Sequence, residues 1–87
     1  MEEDYSVISF LLRGKRRLKV LRALNDSKPK TPKQIAGECH ISLSNVSNSL
    51  AELLKKELIK CVNPQDHLYR FYIATEKGKD TLKRLPQ

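Results

Sequence analysis

TPKQIAGECHISLSNVSNSLAELL, residues 31–54, reads as two short helices meeting at a tight corner. The start signals of the first helix agree with one another. Thr31 can cap, Pro32 suits the first helical position because the N–H it lacks would be unpaired there anyway, and Gln34 stands where a capping box needs it. Ile35, Ala36 and Cys39 would face inward, with small Ala36 letting the next helix approach, and the corner falls at His40-Ile41. Ser42 then caps a second helix, predicted over about residues 43–56.

On a helical wheel centred on Val46, Leu50, Leu53 and Leu54 lie within roughly 80° and define one apolar stripe. The opposite side carries Ser44, Asn48, Ala51 and Lys55, flanked by Asn45 and Ser47. An ordinary surface helix would show Glu and Lys there, residues that also form helix better than Ser and Asn. Short hydrogen-bonding side chains suit close approach to base edges. Ser44, Asn45, Ser47, Asn48 and Ala51 are therefore the candidate base readers of a helix-turn-helix, with Asn48 placed to serve N6 and N7 of adenine together. The plain alternative is a solvated Ser/Asn face with no role.

Downstream, residues 58–62 look like a strand, 63–66 like a turn and 68–73 like a returning strand, a β-hairpin wing over about residues 59–73. Alternation in the return strand predicts Leu68, Arg70 and Tyr72 on one face and Tyr69, Phe71 and Ile73 on the other, with Arg70 reaching outward near the tip. Thr75 can cap a last helix through Leu82 and Leu85. The expected fold class is mainly α with a small β-hairpin wing, a winged helix-turn-helix.

These residues together resemble the winged helix-turn-helix transcription regulators of the broad MarR/ArsR type found in bacteria and archaea. The likeness rests on Leu18, Val20, Leu21 and Leu24, then Ile35-Ala36, residues 42–47, Leu50, Leu53, Leu58-Ile59, and Tyr69 through Gly78. It covers roughly residues 15–85 as an ordered set. It implies a DNA-binding regulator whose second motif helix lies in the major groove. Two departures stand out, since such regulators often carry Gly where this chain has His40 and Glu57. His tolerates a left-handed corner, whereas Glu57 predicts a helix end without a left-handed cap.

Charge points the same way. Seventeen Lys/Arg against ten Asp/Glu give a net +7, and three of the acids, Glu2, Glu3 and Asp4, cluster at the N-terminus. A small domain so basic favours a polyanionic partner, although charge alone would not separate DNA from RNA or an anionic membrane. The densest run is Arg13, Lys15, Arg16, Arg17, Lys19 and Arg22, from which Arg16 and Arg17 are candidate phosphate ligands. Lys28, Lys30 and Lys33 surround the start of the next helix, where backbone N–H groups also favour an anion, so the turn at Thr31 is a second candidate. Ser42, Lys55, His67 and Arg70 complete the expected phosphate contacts.

The length of 87 residues predicts a single winged-helix domain, with residues 15–85 as its core. Such a chain buries about 60–65% of its unfolded surface, leaving no room for a separate ligand-binding domain. No small-molecule effector is therefore expected. Residues 1–14 read as an acidic cap followed by a short apolar helix from about Tyr5. Its apolar segment, residues 7–12, is too short to span a bilayer and follows acids rather than bases, which predicts neither anchor nor secretion signal. A cytoplasmic, nucleoid-associated protein that engages no membrane is expected. The segment either packs on the domain's own core or, with Leu82 and Leu85, pairs with its copy. A twofold dimer would set two reading helices about 34 Å apart on an inverted repeat.

Enzyme readings find little support. Gly14, Gly37 and Gly78 are isolated and form no phosphate loop, and no carboxylate pair is recognisably framed, so no catalytic residue is expected. His40 reads as a turn residue. Cys39 and Cys61 lack the paired spacing of a zinc site and read as reduced, partly buried thiols, so neither metal nor cofactor is expected. The competing class is a protein-interaction module of a transcription or replication assembly, which an exposed apolar patch over residues 5–12 would favour. A weaker third reading is RNA binding, with Tyr69, Phe71 and Tyr72 stacking bases.

Overall fold

The computed structural model describes the backbone of residues 2–85 and the side chains of residues 6–85, so the acidic cap at Glu2, Glu3 and Asp4 lies outside the described side chains. The elements run α1 (Glu2–Arg13), α2 (Lys15–Ala23), α3 (Pro32–Cys39), α4 (Leu43–Lys55), β1 (Ile59–Cys61), β2 (Tyr72–Ala74) and α5 (Glu76–Arg84). This is the expected order of a winged helix-turn-helix.

Local chemistry sets each boundary. Gly14 separates α1 from α2, and its N–H donates to the Leu11 carbonyl. At α3 the capping box is complete: the Gln34 N–H donates to Thr31 Oγ1 and the Thr31 N–H to Gln34 Oε1. His40 ends the helix in the left-handed region at φ 56°. The Asn45 N–H donates to Ser42 Oγ at the start of α4, and the Gly78 N–H to Thr75 Oγ1 at the start of α5.

The far end of α4 differs from expectation. Glu57 is left-handed, at φ 60°. Its N–H donates to the Leu54 carbonyl and that of Leu58 to the Leu53 carbonyl, the two bonds of a Schellman ending. Leu58 is thereby driven fully into the core, and that burial together with the two bonds offsets the modest cost of a left-handed Glu.

The core is built from Leu11, Val20, Leu21, Leu24, Ile35, Val46, Leu50, Leu53, Leu58 and Ile59, with Leu82 and Leu85 closing it. One position of the α4 stripe is corrected: Leu54 is 38% exposed, and Ser49 is buried in its place, so the inward face is turned by roughly 35°, about a tenth of a turn, from the predicted centre. The N-terminal apolar segment takes the intramolecular option. Val7 and Leu11 are buried, and α1 lies against α2 and α5. Leu82 and Leu85 are buried within the same chain too.

The wing is shorter than predicted. Two antiparallel strands pair Ile59 with Ala74, Lys60 with Ile73 and Cys61 with Tyr72, and one further bond joins the Val62 N–H to the Phe71 carbonyl. Residues 63–71 form a loop, so the expected alternation fails before Tyr72, and Tyr72 and Ala74 are the buried pair. A feature absent from the sequence reading is an isolated bridge at the wing's root: Lys30 and Tyr72 exchange both backbone hydrogen bonds.

Gly78 lies so near the hairpin that a Cβ there would come within 2.1 Å of the Leu58 carbonyl oxygen. No side chain fits without lifting α5 off the hairpin.

Candidate nucleic-acid interface

Along α4, Ser44, Ser47, Asn48, Ala51 and Lys55 are exposed and Asn45 is half-buried, so the predicted readers share the solvent side of a helix fixed from behind by Val46, Leu50 and Leu53. Ser42 Oγ accepts the cap hydrogen bond and lies 3.4 Å from Ser44 Oγ. Sequence reasoning missed Leu43, which sits within the apolar sector by angle yet is 51% exposed. Its place just after the cap was the available signal, because the first turn of a reading helix projects beyond the body that supports it.

An open cleft of about 910 Å³ lies between the start of α2 and the side of α4. Arg13, Lys15, Arg16 and Arg17 line one wall, and Asn45, Asn48, Ala51 and Glu52 the other. The structure thus brings Arg16 and the reading residues together. The first turn of α2 holds no acid, and Gly14 offers no capping side chain. Unpaired helix N–H groups and cations side by side favour an anion there.

Two predicted phosphate ligands are held inside the fold instead. Lys30 is 8% exposed, and its Nζ donates to the Ala23 carbonyl (2.6 Å), Asp26 Oδ2 (2.9 Å) and Glu38 Oε1 (3.1 Å). An ammonium has three donors, and all are used. Burial by itself would lower the Lys30 pKa, but the bonds to Asp26 and Glu38 outweigh it and raise the pKa. Asp26 is lowered, mainly by its bond to Lys30. Lys30 is therefore an internal tie rather than a phosphate ligand. Arg17 is likewise engaged: Nη1 donates to Glu52 Oε2 (3.0 Å), Nη2 to the Phe10 carbonyl, and the guanidinium stands 3.9 Å from the Phe10 ring centroid. It fastens α1 to α2 and α4.

The remaining candidates face solvent. Lys28 and Lys33 are exposed beside α3, whereas Thr31 is half-buried with its Oγ1 occupied by the capping bond. In the wing, Lys60, His67 and Arg70 are exposed. The tip is organised by two polar side chains. Asn63 Nδ2 donates to the Tyr69 carbonyl (2.6 Å), and Asn63 Oδ1 accepts from the Phe71 N–H (2.8 Å). Asp66 Oδ1 accepts from the N–H groups of both Leu68 and Tyr69, each at 2.8 Å, and Arg70 Nε donates to the Asp66 carbonyl. Bonds from Tyr69 and then Leu68 lower the Asp66 pKa.

Cys39 is buried and its thiol pKa is raised, first by burial and then by Glu38; Cys61 is partly buried. Among the described residues, no group of three or more His, Cys, Asp or Glu could hold a metal ion, and no helix is long and apolar enough to cross a membrane.

Residues 14–60 match the family model described as bacterial regulatory protein, arsR family. No curated protein sequence matches the chain. Among solved structures, a variant of Lactococcus lactis ZitR is similar at 27% identity and a TM-score of 0.70, over 80% of this chain and 48% of that one. The Streptomyces coelicolor regulator PcaV, described in complex with its natural ligand, is similar at 21% identity and a TM-score of 0.71, over 79% and 50%. A Mycobacterium bovis domain described as a homodimeric winged helix-turn-helix DNA-binding domain of a possible ArsR-family regulator is similar at 20% identity and a TM-score of 0.67, over 92% and 69%. The chain spans about half the length of the first two.

Proposed function

The chain belongs to the arsR family of bacterial regulatory proteins, and we propose that it is a transcriptional regulator that binds double-stranded DNA sequence-specifically and is not an enzyme. The observation that carries this reading is the exposed row Ser44, Ser47, Asn48 and Ala51 on a helix whose back is locked in the core, next to the cationic cleft at the start of α2. Asn48 and its neighbours read bases in the major groove, with Leu43 adding an apolar contact. Arg16, Lys28, Lys33 and Lys55 hold phosphates, with Ser42 and Thr31 donating from their hydroxyls, and His67 and Arg70 follow the backbone or minor groove from the wing.

The protein acts in this reading as a homodimer in the cytoplasm, associated with the nucleoid. The dimer draws support from the Mycobacterium bovis neighbour, and exposed Leu12 on α1 offers an apolar contact. The expectation that no small molecule acts on the chain finds no support, given the ligand complex of the PcaV neighbour. A protein-interaction module is the less favoured reading, since Val7 and Leu11 are buried and leave no continuous apolar patch along α1.

An amide NMR titration with a short mixed-sequence duplex, at low and then physiological salt, tests the assignment. Salt-sensitive shifts concentrated at residues 42–51, at Lys33 and in the wing are expected. A folded spectrum in which those amides stay still would refute it.

A further inference from the structure

Of the large hydrophobic side chains described, the two most exposed stand next to each other at the tip of the wing: Leu68 is 85% exposed and Tyr69 is 67% exposed. Neither contributes to the core, so nothing in the fold of the free chain requires an apolar residue at either place. Their backbone, however, is closely specified. Both N–H groups donate to one oxygen of Asp66, and the Tyr69 carbonyl accepts from Asn63. The tip thus presents two apolar side chains on a loop ordered by polar ones, with the exposed side chains His67 and Arg70 immediately on either side. Ordering that precedes contact removes much of the entropy loss that docking a flexible loop would bring.

We propose that Leu68 and Tyr69 form an apolar wedge that enters the minor groove and partly unstacks a base step, bending the duplex, while Arg70 and His67 rest on the flanking phosphates. The inference rests on the DNA-binding reading and deepens it by giving the wing a role in deforming DNA. The occupant follows from charge: the chain carries a net +7, and a polyanion is the partner that an apolar tip set between exposed basic side chains would meet. Apolar side chains inserted between base steps are a general means of kinking DNA, and pyrimidine–purine steps yield most readily. The wedge would make such a step part of the preferred site although no hydrogen bond reads it.

The test uses the full chain and duplexes that it selects from a randomised pool. These carry 2-aminopurine at successive positions and a fluorophore pair at the ends. The wild-type chain is expected to raise 2-aminopurine fluorescence at one step and to draw the ends together. Because both side chains are exposed, Leu68→Ala and Tyr69→Ser should fold normally, lose the fluorescence rise and the bend, and bind roughly tenfold more weakly. Asn48→Ala should change base preference while keeping the bend.

Three results would overturn the proposal while leaving DNA binding intact: bound duplex with no unstacking and no bend, variants that bend DNA as the wild type does, or wing amides that stay still while those of α4 move. Failure to enrich any duplex would instead remove the DNA-binding reading, and the wedge with it.

Discussion

Helix α4 and the wing tip follow one another along the chain, with β1 between them, and are ordered by opposite means. Helix α4 is held by apolar side chains at its back and shows polar ones to solvent. The tip is held by the polar side chains of Asn63 and Asp66 and shows Leu68 and Tyr69 to solvent. A face supported by the core cannot be loosened without loosening the fold, whereas a loop tied by exposed hydrogen bonds can be released alone. Changes at one region should be global in stability or silent in it; changes at the other should stay local.

The largest expected effect is at the back of α4. Leu53→Ala should cost about 3 kcal/mol, seen as a single shifted transition in urea unfolding. A selective loss of order in α4 alone would break the contrast. On the outer side, Asn48→Ala should leave the unfolding midpoint unchanged and cost about 2 kcal/mol in binding, confined to one base position of the site.

In the wing, Asn63→Ala removes both bonds that close the loop and should cost about 1 kcal/mol, because the groups it releases can turn to water. Hydrogen exchange should quicken at Phe71, whose N–H donates to Asn63, while β1 and β2 keep their protection. Global unfolding would show that the tip is not an independent unit. Lys33→Ala, at the exposed start of α3, should weaken binding to all duplexes alike and lower the salt slope by about one; an effect confined to one sequence would make Lys33 a reader instead.

The smallest effect is of pH. Asp66 has a folded pKa below its ordinary 3.8, because the bonds from Tyr69 and Leu68 favour the carboxylate. Its contribution is complete above the ordinary aspartate range and is lost as pH falls through the lowered value. The Leu68 and Tyr69 amides should therefore hold their shifts until pH drops below the usual range. Movement at higher pH would mean that Asp66 is not what holds them.

The same contrast explains what the sequence made legible. Elements bounded by local chemistry were readable: Thr31, Ser42 and Thr75 cap where they were placed, and His40 takes the left-handed corner. Features decided by distant partners were not. Lys30 sits among other lysines, and only the folded chain brings Glu38 and the Ala23 carbonyl to its ammonium. The spacing of Asp26 and Lys30 was a local hint that the lysine had a partner. Glu57 looked unsuited to a left-handed ending, and the burial of Leu58 that favours one is a tertiary effect. Alternation over residues 68–73 was overridden by Asn63 and Asp66, whose side chains compete for the backbone groups a longer ladder would have used. Of the candidate site, the α4 face was readable from periodicity, whereas neither the cleft beside α2 nor the engagement of Arg17 had a local signature.

The bridge between Lys30 and Tyr72 has a mechanical meaning. Its backbone bonds tie the root of the wing to the segment entering α3, while the side chain of the same Lys30 clamps the end of α2 to α3. The wing's root cannot swing on its own hinge, so the span from it to the reading helix is set like the jaws of a caliper. In the proposed DNA-binding reading, a duplex gripped by such a gauge would have to supply the compliance itself, and sequences that flex easily would be measured as fitting where stiffer ones would not.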